Sequence, residues 1–244
     1  ELREPLLVEY ARSFFPVLLV VWALRSFVAE PFQIPSESMV PNLAIGDFVL
    51  VNKYAYGVRL PVVNTRILKV GEPRRGDMMV FEHPQKDIYL IKRVVGIPGD
   101  VIGYANQSVT LNGQTLSYEF QQQLAQQASF GQFFVREYLE QSDGREYRIH
   151  RYPTDVIRQK PPREWVLPAG AYFMMGDNRD RSEDSRSWQF AREEHIVGKA
   201  VAVWMHKPPG WHWPSFAMNR WLEPSAAGTT DRASAVASET GSAD

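Results

Sequence analysis

Runs of β-branched and aromatic residues, several of them opened by a Gly-Asp pair, constrain this chain more than any other feature. "DFVLVNKY", "DMMVFEH", "IYLIKRVVGI", "DVIGYA", "SVTLNGQTL", "YRIHRY", "YFMMG" and "IVGKAVAVWMH" all read as strands. Gly46-Asp47, Gly76-Asp77 and Gly99-Asp100 read as turns, because glycine accepts positive φ and aspartate bonds a nearby backbone amide. Asn-Gly in "LNGQ", Leu111 to Gln114, suits a two-residue hairpin loop. The pattern predicts a mainly β domain from Phe32 onward.

Before it lies an apolar run. Ser13 to Leu24, "SFFPVLLVVWAL", carries no charge, and after Arg25 the apolar character continues to Ala29. At ~1.5 Å per residue such a helix reaches ~25 Å, against ~30 Å of hydrocarbon. By length alone, the run reads equally as a buried core helix or as a membrane segment in which Arg25 snorkels and Arg12 anchors the other end. No small-x-small pattern precedes Glu30, which argues against a cleaved signal peptide. If the run spans, Arg3 and Arg12 put its N-terminal side in the cytoplasm and the long remainder outside.

Between Gly103 and Arg163 the wording changes to a glutamine-heavy stretch, "FQQQLAQQASF", closed by "RQKPPREW", which predicts an inserted subdomain. The tail 224–244 is small, polar and free of aromatics, and is expected to be disordered. With 27 basic and 28 acidic residues the chain carries no global field for nucleic acid. It has no cysteine, which excludes disulfides, thiolate catalysis and cysteine-ligated metals. His83, His150, His195, His206 and His212 are scattered, none at metal-ligand spacing from another.

The common catalytic motifs are missing: no G-x-S-x-G, H-E-x-x-H, S-x-x-K or phosphate-binding glycine loop is present. A serine hydrolase without a histidine needs another base. Lysine serves only if its surroundings lower its pKa by ~3 units, or ~4 kcal/mol, which burial among apolar groups supplies. Lys92 in "IYLIKRVVGI" is the lysine most enclosed by such neighbours, and Lys199 in "IVGKAVAVW" is its rival. Read singly, Lys92 is also a solvent-facing strand lysine, and Ser36 and Ser38 are turn residues between Pro35 and Pro41.

Together, "EPFQIPSESMVPNLAIGDFVLVNKYAYG", "RRGDMMVF", "YLIKRVVGIPGD" and "GDNRDRSEDSR", in that order, resemble bacterial type I signal peptidase. That family consists of membrane-bound serine endopeptidases that remove signal peptides from exported preproteins. The likeness runs from about Phe14 to Trp204. It implies a Ser-Lys dyad, with Ser38 as nucleophile and Lys92 as general base. The Ser38 backbone N–H and the Ser36 hydroxyl would form the oxyanion hole, and Ser182 would orient the lysine. Asp184 and Arg186 would form a supporting salt bridge, with Asp177 and Arg179 bracing the site. Phe32, Ile34, Pro35, Met39, Leu43, Val49, Val80, Leu90 and Ile91 would line shallow subsites for small side chains at the first and third positions before the cut, by size exclusion.

The implied fold is mainly β: two antiparallel sheets in a protease fold shared with LexA-like self-cleaving repressors, preceded by an N-terminal transmembrane helix. The division would be an anchor at 1–30, a catalytic core at 31–102 and 164–223, an insertion at 103–163 and the tail. No cofactor or metal is implied. Partners would be signal peptides, the lipid bilayer and the protein export channel, with no nucleic acid. The expected location is the bacterial cytoplasmic membrane, with the catalytic domain on the periplasmic side. Two positions depart from the frequent wording: Glu37 stands where glycine is common, and Arg181 where asparagine is common. A self-cleaving repressor would need a helix-turn-helix where this chain has its apolar segment. A tethered domain that merely binds peptides would be marked by loss of Ser38 or Lys92, and both are present.

Overall fold

The computed structural model describes residues 6–27, 29–59, 66–68, 70–128, 131–153, 161–216, 219–222 and 225–226. The apolar run forms one helix, Leu6–Phe27 (α1), and every side chain from Val8 to Val20 is exposed. It is therefore no core helix. Nor does it meet the expectation of a transmembrane helix: among the described residues, no helix is long and apolar enough to cross a membrane. Glu9, Arg12, Pro16 and Arg25 all fall within its 22 residues and dilute the apolar stretch.

Strands follow at Ala29–Gln33 (β1), Asp47–Asn52 (β2), Met78–Glu82 (β3), Tyr89–Gly96 (β4), Val101–Ala105 (β5) and Ser108–Leu111 (β6). Ser117–Ala128 (β7), Gly131–Ser142 (β8), Arg145–Arg151 (β9), Arg163–Val166 (β10), Ala171–Met175 (β11) and Ile196–His206 (β12) complete the longer ones. The main sheet is antiparallel, in the order β1-β2-β12-β3-β4-β11, with Ala191–Arg192 beside β11 and Arg220–Trp221 beside β12.

Where the family resemblance implies two sheets, the described residues form one of eight strands, two of four and one of two. The physical reason lies at Asp100. Its carboxylate accepts from Ile97 N at 2.8 Å and its own N–H reaches Ile97 O, turning the chain so that β5 pairs with β6 and β10 and leaves the main sheet.

Strand β3 shows how the main sheet is buried on both sides. Met78 and Val80 point into a cluster with Ile34, Met39, Val49 and Val203, while Met79 and Phe81 point into another with Val94, Met174 and Trp188. A third cluster, including Val95, Ile102 and Phe173, joins this sheet to β5 and β6. The main sheet also curls. Three strands separate β1 from β4 in the order, yet the Phe32 and Tyr89 rings meet edge-on with centroids 5.6 Å apart.

Asn112 and Gly113 take φ of 51° and 83°, and Leu111 pairs with Gln114 across the expected hairpin turn. The glutamine-heavy stretch becomes β7, which pairs with β8 along a long hairpin, and β9 extends that sheet. The proposed ends of the insertion fall on paired strands, with Arg163 opposite Tyr104, so the segment leaves and returns at adjacent points. The tail lies outside the described residues except for Ser225–Ala226, which pair with Glu146 and Arg145.

Gly198 sits at a bulge of β12, where an added Cβ would lie 2.4 Å from the Asn52 carbonyl oxygen. Gly198→Ala is expected to lower stability by about 1–3 kcal/mol through this overpacking, read from urea denaturation.

Candidate active site

The serine turn is stiff for local reasons. Pro35 and Pro41 fix their own φ and restrict the residues before them. Between them, Glu37–Met39 forms a single 3-10 turn closed by Val40 N donating to Glu37 O. Met39, wholly buried in the first cluster, anchors the turn, and Ser38 beside it is 8 % exposed.

The Ser38 hydroxyl meets Lys92. Alternation along β4 puts Leu90, Lys92 and Val94 on one face, and Lys92 is 3 % exposed. Its Nζ lies 2.5 Å from Ser38 Oγ, and Ser36 Oγ lies 3.2 Å from the same oxygen. Burial pulls the Lys92 pKa down from 10.5 to about 8, against an upward push from Asp184 and Asp177. The rival Lys199 is turned to Asp77 at 3.1 Å. Lys53 pairs with Glu30, and Lys86 with Glu183.

The segment from Gly176 to Arg186 clamps this turn. Asn178 donates its backbone N–H to Ser38 O at 3.1 Å and its side-chain amide to Glu37 O at 3.2 Å. Gly176 is packed so closely that a Cβ there would lie 2.5 Å from the Ser38 carbonyl oxygen and 2.3 Å from Ser182 Oγ. Only glycine permits that approach.

Asp184 caps the short helix Ser185–Trp188 (α2), accepts from Gly176 N at 3.1 Å and pairs with Arg186 at 2.8 Å. Burial raises the Asp184 carboxyl, but Arg186 and the Gly176 N–H outweigh it and leave it below its ordinary value. Asp177 accepts from Arg93 Nε and Nη2, each at 2.7 Å, and from Asn42 Nδ2 at 2.7 Å. Arg179 turns away from Asp177 and pairs with Glu140 of β8.

Ser182 differs from the expectation. Its buried hydroxyl faces Asp184, whose carboxyl it helps to hold down, and makes no hydrogen bond to Lys92. It is packed against Gly176, while Lys92 Nζ is engaged by Ser38. The two departures from the frequent wording meet: Glu37 forms a half-exposed ion pair with Arg181.

The expected subsite residues separate into groups. Ile34, Met39, Leu43, Val49 and Val80 are buried core, with Phe32 and Ile91 half-buried against them. Pro35 is exposed. Leu90, one residue out of phase with Ile91, packs on the other cluster, on the face of β4 that also carries Lys92. Gly176, Asn178, Asn42 and Arg93 complete the site without having been singled out. An arginine inside the apolar run "YLIKRVVG" was itself a signal, since a buried guanidinium demands a partner. No group of acidic or histidine side chains among the described residues is arranged to hold a metal ion.

The lowered lysine pKa has a measurable consequence for stability. Between about 8 and 10.5 the unfolded chain binds more protons at this position than the folded one, so stability rises with pH through that window. Below it the full penalty of roughly 3 kcal/mol applies. Lys92→Met is expected to exceed the parent in stability at pH 7 and to lose that advantage by pH 10.5 in chemical denaturation. The half-exposed Glu37–Arg181 pair is a weaker case, and Glu37→Gln should change stability by less than about 1 kcal/mol in the same measurement.

Comparison with known proteins gives this geometry a family. The profile described as signal peptidase, peptidase S26, matches residues 7–205. "Signal peptidase I" of Pseudomonas aeruginosa is 48% identical over 218 residues, covering 84% of this chain and 75% of that protein. "Signal peptidase I" of Pseudomonas fluorescens is 46% identical over 229 residues, covering 88% of this chain and 79% of that protein. Among solved structures, a signal peptidase I from Enterococcus faecalis V583 aligns at 21% identity over 55% of this chain and 100% of that one. Its TM-score of 0.33 leaves the fold to rest on the sheet topology itself. The extent of the profile match and the identity to these relatives place the chain in the signal peptidase family, peptidase S26.

Proposed function

We propose that the chain removes signal peptides from exported preproteins by acyl transfer, with Ser38 as nucleophile and Lys92 as general base. Membership of the family makes it a serine endopeptidase. The observation that carries the dyad is the 2.5 Å contact between two buried groups, Ser38 Oγ and Lys92 Nζ, with the lysine pKa at about 8.

With Lys92 neutral, that contact passes the Ser38 proton to Nζ as Oγ attacks the scissile carbonyl. The ammonium then gives the proton to the departing amine, leaving an ester on Ser38. Water, deprotonated by the again neutral Lys92, attacks the ester and frees the serine. Ser36 Oγ and the Ser38 N–H are assigned to the charge that develops on the carbonyl oxygen. Ser182, its hydroxyl buried against Gly176, is assigned to hold Lys92 once the ester has formed.

Specificity for small residues, as in A-x-A, follows from walls that do not yield. Ile34, Met39, Leu43, Val49 and Val80 already belong to the packed core, so a site floored by them excludes volume rather than adapting to it. The half-buried Phe32 and Ile91 would meet the substrate directly.

The same reading places the protein at the bacterial cytoplasmic membrane, acting on the periplasmic side. The apolar side chains of α1 between Val8 and Val20 are exposed, and so are Trp211, Trp213, Phe216 and Trp221 on the domain. Indole rings favour the interface between water and lipid. Ser38 follows Ala29 by only nine positions, which keeps the site near that surface.

Preprotein cleavage in detergent, with the cut located by mass spectrometry, tests this function. Cleavage after a small residue is expected, and it should be lost in folded Ser38→Ala and Lys92→Ala. The parent kcat/KM should fall about tenfold per pH unit below about 8, as Lys92 takes up its proton. Activity that survives Lys92→Ala would remove the dyad from the account.

A further inference from the structure

The inserted subdomain lies against the segment that clamps the serine turn. His150 of β9 donates its backbone N–H to Asp177 O at 2.9 Å. Tyr152 N and Gln107 Nε2 both donate to Asp180, at 2.8 Å and 3.0 Å. The deepest of these contacts is ionic. Glu140 of β8 is 0 % exposed, and its carboxylate accepts from both terminal nitrogens of Arg179, with Nη2 at 2.7 Å, and from the Tyr147 hydroxyl at 2.6 Å.

A buried ion pair is a poor source of stability, because desolvation offsets most of the attraction. It is, however, a rigid strut, since neither partner can leave without stranding the other. The rest of Arg179 bonds toward the site: its Nε donates to Gly176 O at 3.2 Å, and its backbone carbonyl accepts from Arg186, the partner of Asp184. Gly176 is the residue pressed on the Ser38 carbonyl, and Asn178 bonds that same oxygen.

We propose that Glu140 is a positioning residue for the reaction centre. Through Arg179 it fixes the backbone of 176–178 and with it the Ser38 turn, so that the inserted subdomain completes the site. The inference rests on the Ser38–Lys92 reading given above. Glu140 itself touches neither Ser38 nor Lys92 and is not catalytic.

The test uses the full chain in detergent, comparing the parent, Glu140→Gln, Glu140→Asp and, as a control on the dyad, Ser38→Ala. Folded Glu140→Gln is expected to lose about tenfold to a hundredfold in kcat, as displacement of a reacting group does. KM should stay within about twofold. Glu140→Asp should recover part of the loss. In Glu140→Gln, amide exchange should quicken in 174–182 and 36–40 while β2 and β12 stay protected. Parent kcat in folded Glu140→Gln, or faster exchange confined to β8 and β9, would overturn the proposal. If Glu140→Gln does not fold, the double variant Glu140→Met with Arg179→Met removes both members of the pair together, leaves Arg151 stacked on the Tyr118 ring, and is judged by the same criteria. Cleavage surviving Ser38→Ala would count against the dyad alone, and the exchange measurement would still decide the role of Glu140.

Discussion

A lysine kept from water is the condition on which the rest of this structure depends. Lys92 becomes a base near neutral pH only if the cost of burying its charge exceeds the attraction of nearby carboxylates. Two acids, Asp184 and Asp177, are wholly buried and push its pKa upward. Each is matched by an arginine, Arg186 for the first and Arg93 for the second, in paired contacts at 2.7–2.8 Å. Arg186 in turn lowers the Lys92 pKa. The acids thus organise backbone without holding the lysine proton, and burial prevails.

The same paired groups shape the serine turn. Asp184 orders Gly176 and the start of α2, and Asp177 joins Arg93 on β4 to Asn42 behind the serine turn. Gly176 and Asn178 then close on the Ser38 carbonyl. Electrostatic neutralisation of the lysine's surroundings and placement of its serine are therefore two results of one network.

Much of this was legible in the sequence, and the parts that were not share a physical cause. Period-two alternation and Gly-Asp turns mark the strands, and Asn-Gly marks the hairpin at Asn112–Gly113, because both signals are local. Lys92 and Lys199 sit in comparably apolar runs; what separates them is Asp77, far away in the chain, which pairs with Lys199. Alternation says that Leu90 and Ile91 face opposite ways, but which face meets the serine turn depends on how the sheet curls. The helix at Leu6–Phe27 was readable from composition, whereas the exposure of its side chains from Val8 to Val20 was not, since that depends on which surfaces the β domain leaves uncovered. Glu140 could not be found at all from its own neighbours. Its partner Arg179 lies in the turn that follows β11, far away in the chain.

The most direct measurement is the titration of Lys92 Nζ itself, followed by nitrogen and ε-carbon NMR in protein labelled at lysine and assigned by comparison with Lys92→Arg. A midpoint at about 8 is predicted, with the neighbouring Lys53, Lys86 and Lys199 signals assigned separately. A Lys92 midpoint at 10.5, the ordinary lysine value, would mean that burial does not free the amine. The account of the site as a neutral-lysine dyad would then be contradicted.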